Sequence, residues 1–345
     1  MMKNTNETTV NNPIASDDKP TRIHYVCPHC LGRLEREAAT YMCHTCGSHF
    51  NHHDDYVADF AAAVTFDDWW MKDEQTRQHW LDKEAVGEEE YEIGLARNYV
   101  LPLLRKLKLQ PDQTAVLSAG CGLASDTELL LEQGYDSYGI DIGNRVLGWS
   151  RRKCPQRLAR ADLREMPFPD ACFDFVLSLN TIEHIGVVGD TTRVTPDYWE
   201  QRLRAMRSLL RVTKPGGYLL LSGLSRTIPF DVGHIQEVRW VRIHSPWEKF
   251  LLNYNDIRRL CRETGGVQST RPLPLRGFFS WTRLRHNAFA RPLLPLVDWL
   301  FGCLPPAVYG SWISPFWIVL VQRSDKPLPS NDALPSIDGS PPSSS

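Results

Sequence analysis

The sequence predicts a doubly wound α/β fold with a mostly parallel seven-stranded sheet, preceded by a small metal-stabilised module. Three observations predict it. From Ala115 to Arg323, short apolar runs alternate with helix-length segments, the pattern of a sheet covered by helices on both faces. Glycines or acids close several of those runs, where such sheets bind ligands. Upstream, two Cys-x-x-Cys pairs stand twelve residues apart.

The elements follow in order. Residues 115–120 form an apolar strand ending in a glycine turn, and helix 124–133 follows. Strand 135–141 ends in an acid and leads to helix 145–152. A weaker strand spans 157–163, and 173–180 is a clear one. Helix 196–212 stops at Lys214-Pro215-Gly216-Gly217, and strand 218–224 restarts after it. Residues 253–265 read as a helix capped by Asn255. Residues 267–275 and 316–323 supply the last two strands. Ahead of the sheet, Tyr91, Leu95, Tyr99, Leu103 and Leu107 recur at helical spacing. The expected organisation is a disordered tail (1–20), a zinc ribbon (21–60), a helical linker or lid (61–112), the main domain (113–324) and a Pro/Ser-rich tail (325–345).

Composition bounds the function. With 42% hydrophobic and 23% charged residues, 345 residues can bury a full core. A net charge of -2 argues against a strongly basic nucleic-acid protein. Two short basic runs remain, Arg202-Leu203-Arg204 and Arg283-Leu284-Arg285. The first twenty residues do not read as a secretory signal. Nine cysteines without such a signal point to the reducing cytoplasm, where cysteine pairs bind metal. Trp299 to Gln322 carries no charge and is long enough to span a bilayer. Pro305, Pro306, Pro315, Gly302 and Gly310 would break a helix there, so the stretch reads as an apolar cap running into a buried strand. A peripheral membrane contact, or a pocket for a greasy substrate, remains open.

Three strand ends carry ligand chemistry. Ser118-Ala119-Gly120-Cys121-Gly122 lets the backbone turn tightly and approach a ligand without a Cβ in the way. Asp141, followed by Ile142, lies 19 residues after Gly122, where a carboxylate can accept both hydroxyls of a ribose. Asp162 could accept from an adenine amine, with the Leu163 backbone N–H addressing the ring; a helix-capping role is the alternative.

The blocks VLSAGCGLASDTELLLEQGYDSYGIDI, ADLREMPFPDACFDFVLSLNTIEHI and LLRVTKPGGYLLLSG together resemble class I methyltransferases, most of all the branch with ubiquinone and menaquinone biosynthesis enzymes. The resemblance covers roughly residues 90–323. It implies a Rossmann-like sheet and S-adenosylmethionine as cofactor. By that likeness Gly120 and Gly122 would flank the methionine part, Asp141 hold the ribose, Asp162 the adenine, and Asn180 line the methyl side. Two positions depart from the family: Ser118 stands for the usual acid, and Ala124 for the usual third glycine.

The sulfonium already activates its methyl group, so the enzyme's task is alignment. A hydroxyl acceptor would be helped by a general base, and His184, His234 and His244 are the candidates, with a local packing role the alternative for His184. Some related enzymes hold a divalent ion with Glu-x-x-Glu-His. Here the run is Asn180-Thr181-Ile182-Glu183-His184, the first carboxylate is missing, and no ion is expected.

Cys27, Cys30, Cys43 and Cys46 form the strongest metal pattern, two knuckles offering four thiolates to a structural zinc, with Gly32 and Gly47 fitting the tight turns. The surrounding histidines read as surface residues. A ribbon ahead of such a domain resembles the bacterial large-subunit ribosomal RNA guanine methyltransferases. That makes RNA the competing substrate, but the net charge of -2 and the largely apolar segment Phe278 to Trp312 favour a small or lipid-like acceptor as the expectation, with RNA as the alternative and a degenerate, non-catalytic scaffold as a third reading.

Overall fold

The structure is a computed structural model describing residues 21–37, 40–53, 57–61, 73–189, 191–231, 234, 242–279 and 291–328. The expected tail 1–20 and most of the C-terminal tail lie outside the described residues. In chain order the strands are β1 (Leu34–Glu37), β2 (Thr40–Cys43), β3 (His49–His53), β4 (Val57–Asp59), β5 (Ala115–Ala119), β6 (Asp136–Asp141), β7 (Leu158–Arg160), β8 (Phe173–Leu179), β9 (Thr213–Leu224), β10 (Phe230–Asp231), β11 (Arg242–Ile243), β12 (Val267–Pro272) and β13 (Phe316–Arg323). The α-helices are α1 (Glu74–His79), α2 (Ala85–Leu95), α3 (Leu101–Lys106), α4 (Ser125–Glu132), α5 (Tyr198–Val212), α6 (Tyr254–Thr264), α7 (Leu294–Cys303) and α8 (Pro306–Tyr309).

Strand β5 is buried at every residue, as a central strand covered on both faces must be. Leu117 and Ala119 face one core with Met206 and Leu209 of α5 and Leu260 of α6. Val116 faces the other, with Leu95, Val100 and Leu104 of the N-terminal helices. The sheet runs β7-β6-β5-β8-β9-β13-β12, parallel from β7 to β9, with β13 antiparallel between β9 and β12. These are the seven expected strands. Strand order reverses between β5 and β8, which opens a crevice at their carboxyl ends.

The ribbon strands are not a separate sheet. β1 to β4 pair in sequence, and β4 then lies parallel to β7, with Ala58 opposite Ala159 and Asp59 opposite Arg160. Arg160 crosses this seam to Asp59 (3.2 Å) and the Ala61 carbonyl (2.8 Å). The result is one sheet of eleven strands.

Local expectations needed four corrections. Residues 144–151 form a 3-10 helix, not an α-helix. The helical stretch from Glu74 to Lys106 is interrupted by two π-helical segments, Trp80–Glu84 and Ala96–Val100. Asn253, not Asn255, caps α6, because its side chain and that of Asp256 satisfy each other's backbone N–H in a capping box. The Lys-Pro-Gly-Gly run lies within β9 as a bulge opposite Phe173 and Phe175, where Lys214 Nζ reaches Asp174 (2.8 Å).

The uncharged stretch 299–322 resolves into the end of α7, then α8, then β13, and no helix among the described residues is long and apolar enough to cross a membrane. The first basic run also reads differently in three dimensions. Arg202 is only 1% exposed and donates to the carbonyls of Glu183, Ile185, Lys249 and Phe250. It staples the loop after β8 to the segment preceding α6. Arg283 and Arg285 lie outside the described residues.

A second buried cation, Arg157, pairs with Asp136 and stacks over Tyr138 (4.9 Å to the ring centre). Removing one partner leaves the other charge uncompensated. Asp136→Asn should therefore cost about 3 kcal/mol or more in urea unfolding, while a loss below about 1 kcal/mol would show the pair to be structurally dispensable.

Candidate functional site

The glycine loop after β5 turns on two left-handed residues, Gly120 (φ +84°) and Gly122 (φ +55°). A Cβ at Gly120 would stand 2.3 Å from the Thr181 methyl, so this loop interlocks with the one after β8. The N–H groups of Gly120 and Cys121 both donate to the Ile140 carbonyl. Cys121 is buried, and desolvation drives its thiol well above the ordinary range. Ala124, where the resemblance expects glycine, is itself left-handed (φ +60°) and directly precedes α4.

Three carboxylates organise the loop. Asp141, at the end of β6, accepts from the N–H groups of Gly122 (2.9 Å), Ile142 (2.7 Å) and Gly143 (2.8 Å). Glu92, from α2, accepts from Leu123 N (2.9 Å) and Ser125 N (3.0 Å), satisfying the exposed donors where α4 begins. Burial, reinforced by the charge of Asp126, pushes the Glu92 carboxyl up to about 8. Ser118 donates to the buried Asp126 (2.6 Å), so a carboxylate reaches Ser118 from eight residues downstream. Trp149 seals the loop from outside by donating to the Gly122 carbonyl (2.8 Å).

Asp162 stands just past β7 and is engaged by Arg164, through its backbone N–H (2.8 Å) and its guanidinium. Leu163 is buried behind it. Asn180 ends β8 in a left-handed conformation (φ +50°) and donates to the Tyr91 hydroxyl (3.2 Å). The crevice therefore brings the loop 118–122, Asp141 and Asn180 onto the ends of β5, β6 and β8.

Beyond Asn180 lies a histidine pair that the chain assembles over fifty residues. His184 Nε2 stands 3.1 Å from His234 Nε2, and His234 Nδ1 stands 3.1 Å from Asp231. The Asp231 side chain is fully buried and also accepts from Arg242 (2.9 Å). Burial would raise its pKa, but the hydrogen bonds and charge of His234 and Arg242 outweigh that, and the net direction is down. Phe250 packs against both imidazoles, with ring centres at 5.5 and 4.8 Å. Burial first, and the neighbouring cations next, push His184 down to about 3, so its imidazole is neutral and its basicity is lowered. Glu183 is buried with neither carboxylate oxygen hydrogen-bonded, and its ligand atom lies within 4.8 Å of those of both histidines. Two imidazoles and a carboxylate are a donor set that could also take a divalent ion. His244 is not part of the pair; it lies 3.3 Å from Glu248.

In the ribbon the four cysteines converge. Cys27 and Cys46 are 3.6 Å apart and Cys30 and Cys43 3.5 Å, close to the roughly 3.8 Å edge of a tetrahedron with 2.3 Å zinc–sulfur bonds. The knuckles repeat one geometry: Leu31 N donates to Cys27 O as Gly47 N donates to Cys43 O, both at 2.8 Å. The left-handed residue of the first knuckle is thus Leu31 (φ +59°), not Gly32. Gly32 serves close approach instead, since a Cβ there would meet Thr45 Oγ1 at 2.5 Å.

Glu92, Asp126 and Asp231 escaped the sequence reading, and Arg202 was read only as part of a basic run. Asp231 left a trace, three residues before His234. Glu92 left none, because its partners lie some thirty residues further along the chain.

Residues 117–221 match the family model of a methyltransferase domain. A probable S-adenosylmethionine-dependent methyltransferase of Mycobacterium tuberculosis is 28% identical over 181 residues, 52% of this chain and 57% of its own length. A phosphoethanolamine N-methyltransferase of Triticum aestivum is 29% identical over 128 residues, covering 35% of this chain and 22% of that protein. The chain thus spans little more than half the length of the first of these relatives. Among solved structures, phosphoethanolamine N-methyltransferase 2 of Haemonchus contortus with S-adenosyl-L-methionine aligns at TM-score 0.42 and 16% identity, over 77% of this chain and 61% of that one.

The raised pKa of Glu92 sets a pH dependence. The folded chain favours its neutral form, while the unfolded chain ionises it near 4.5, so its contribution is complete below that value and is lost as pH rises towards about 8. Glu92→Gln stays neutral throughout. Its melting temperature relative to wild type should climb between about pH 5 and pH 8; a constant gap across that window would refute the coupling.

Proposed function

We propose that this chain, which carries a class I S-adenosylmethionine-dependent methyltransferase domain, transfers a methyl group to a small lipid-like acceptor. The observation that carries the reading is the convergence of the Gly120–Gly122 loop, Asp141 and Asn180 at the reversal of strand order, within the matched segment 117–221. The donor set suits the cofactor. Asp141 is a carboxylate at the position where ribose hydroxyls are held, and Asp162 answers an exocyclic amine once Arg164 yields one of its oxygens. Glu92, beside the loop, would meet a cationic amino group as a carboxylate, the charge of the ligand favouring release of its proton.

Bound S-adenosylmethionine supplies an activated methyl group on its sulfonium. The chain's own residues then do the rest. Asn180, fixed by Tyr91, lines the approach. His184 is weakened as a base by burial, and it takes the proton from an acceptor hydroxyl only because Asp231, reaching it through His234, favours the charge it gains. Arg202 holds the loop of His184 in place.

The lipid-like acceptor is favoured by an apolar path. Phe250, against the histidine pair, packs in a cluster with Phe316. Phe316 in turn meets Phe279 (4.8 Å), and Phe279 meets Phe301 of α7 (5.5 Å). RNA is disfavoured, since Arg202 of the first basic run is spent inside the fold.

Calorimetry with S-adenosylhomocysteine tests the cofactor reading. Wild type should bind, and Asp141→Asn should bind about tenfold or more weakly; no heat from the wild type would favour the scaffold reading. His184→Gln should lower kcat by about a hundredfold while leaving that binding unchanged, and equal loss of both would assign His184 a structural role. In the ribbon we assign one zinc per chain to Cys27, Cys30, Cys43 and Cys46. Elemental analysis should find it, and Cys43→Ser should lower the melting temperature of the whole chain, because β4 belongs to the main sheet.

A further inference from the structure

We propose that the surface built on α7 and the turn before β13 docks on an anionic lipid bilayer, lying in its interface without crossing it. The surface is apolar and open. Leu296, Trp299 and Leu300 on α7, with Leu304 after it, are each exposed by a third or more, as are Trp312 (75%) and Ile313 (49%) further along. No other part of the described chain exposes so many large apolar side chains within twenty residues.

Charge identifies the partner. Between Arg271 and Phe316 the sequence contains five arginines (271, 276, 283, 285 and 291) and a single acid, Asp298, although the whole chain carries a net charge of -2. Asp298 accepts from the Gly277 N–H (2.9 Å), which directs its charge towards the protein. Arg276 and Arg291 are exposed. An apolar surface with tryptophans, flanked by arginines and poor in acids, matches the interface of a bilayer with anionic headgroups, where tryptophan rings settle at headgroup level. A second copy of the chain would bring arginines against arginines, with no exposed acid in this segment to answer them. A protein partner would need an acidic, apolar face of its own, which the bilayer supplies generically.

Geometry sets the depth. The ten residues of α7 span about 15 Å, half of a hydrocarbon core of roughly 30 Å, so the helix can lie in the interface but cannot cross. Inward, Phe301 of α7 begins the aromatic series that ends at the histidine pair. A chain seated this way would meet an acceptor partitioned into the bilayer from the side on which the acceptor resides. The docking surface itself stands apart from the methyl-transfer reading, and its test needs no cofactor.

The 345-residue, zinc-loaded chain is sedimented with phosphatidylcholine vesicles and with vesicles rich in phosphatidylglycerol. Binding should be confined largely to the anionic vesicles and should weaken with salt. Arg276→Glu should lower affinity about fivefold or more, and the double change Trp299→Ser, Leu300→Ser about tenfold or more. Both alter exposed side chains, so melting curves should not move. Brominated lipids give the same test on the unaltered chain, since interface tryptophans are quenched on contact. The proposal is overturned by absence of binding and quenching with anionic vesicles, or by binding that the tryptophan–leucine change leaves intact. It is equally overturned if that change instead abolishes a concentration-dependent dimer in a chain that ignores vesicles.

Discussion

A parallel sheet buried on both faces has few places for polar chemistry other than its strand ends, and that constraint organises this molecule. Helices cover β5, β6, β8 and β9 on both sides, and the side chains of those strands are mostly apolar and buried. The reversal of order between β5 and β8 parts the loops that follow them, and the crevice falls there. Gly120, Asp141 and Asn180 are far apart in the chain but close in space because each follows a neighbouring strand. The same constraint explains the chemistry of the loop. Its backbone donors sit at the edge of a dry core and are answered by carboxylates, Asp141 from β6 and Glu92 from α2, rather than by water.

Glu92 and the histidine pair show how burial tunes function beyond what residue type implies. Glu92 is pushed towards neutrality although it accepts two backbone hydrogen bonds, because desolvation and Asp126 outweigh them. His184 is pushed towards neutrality from the opposite side, as a buried base among cations. In both, removal from water disfavours the charged form. Neither would behave so on a solvated surface.

The ribbon contributes through the backbone. Its strand β4 extends the edge of the sheet at β7, the strand that leads into Asp162, and Arg160 ties the seam to Asp59 and Ala61. An unpaired β7 would expose a row of donors and acceptors, and β4 covers it. The folding of some forty residues around four cysteines is thereby coupled to the integrity of the main sheet at β7. At the far end of the sheet, β12 and β13 run antiparallel, β12 leading towards the apolar surface of α7 and β13 returning from it.

The sequence by itself determined the seven strands, the glycine loop, the acid closing β6 and the cysteine knuckles, because each is written in local pattern: apolar runs, left-handed turns and short-range metal spacing. It failed where the cause was non-local. The carboxylate beside Ser118 arrived from Asp126, and the imidazole beside His184 from His234, fifty residues along the chain. Arg202, read as part of a basic run, proved to be an internal staple. Only the tertiary structure decided these, and it alone joined ribbon to sheet. Strand pairing and buried polar partnerships depend on which surfaces meet, and a chain of letters carries no record of that.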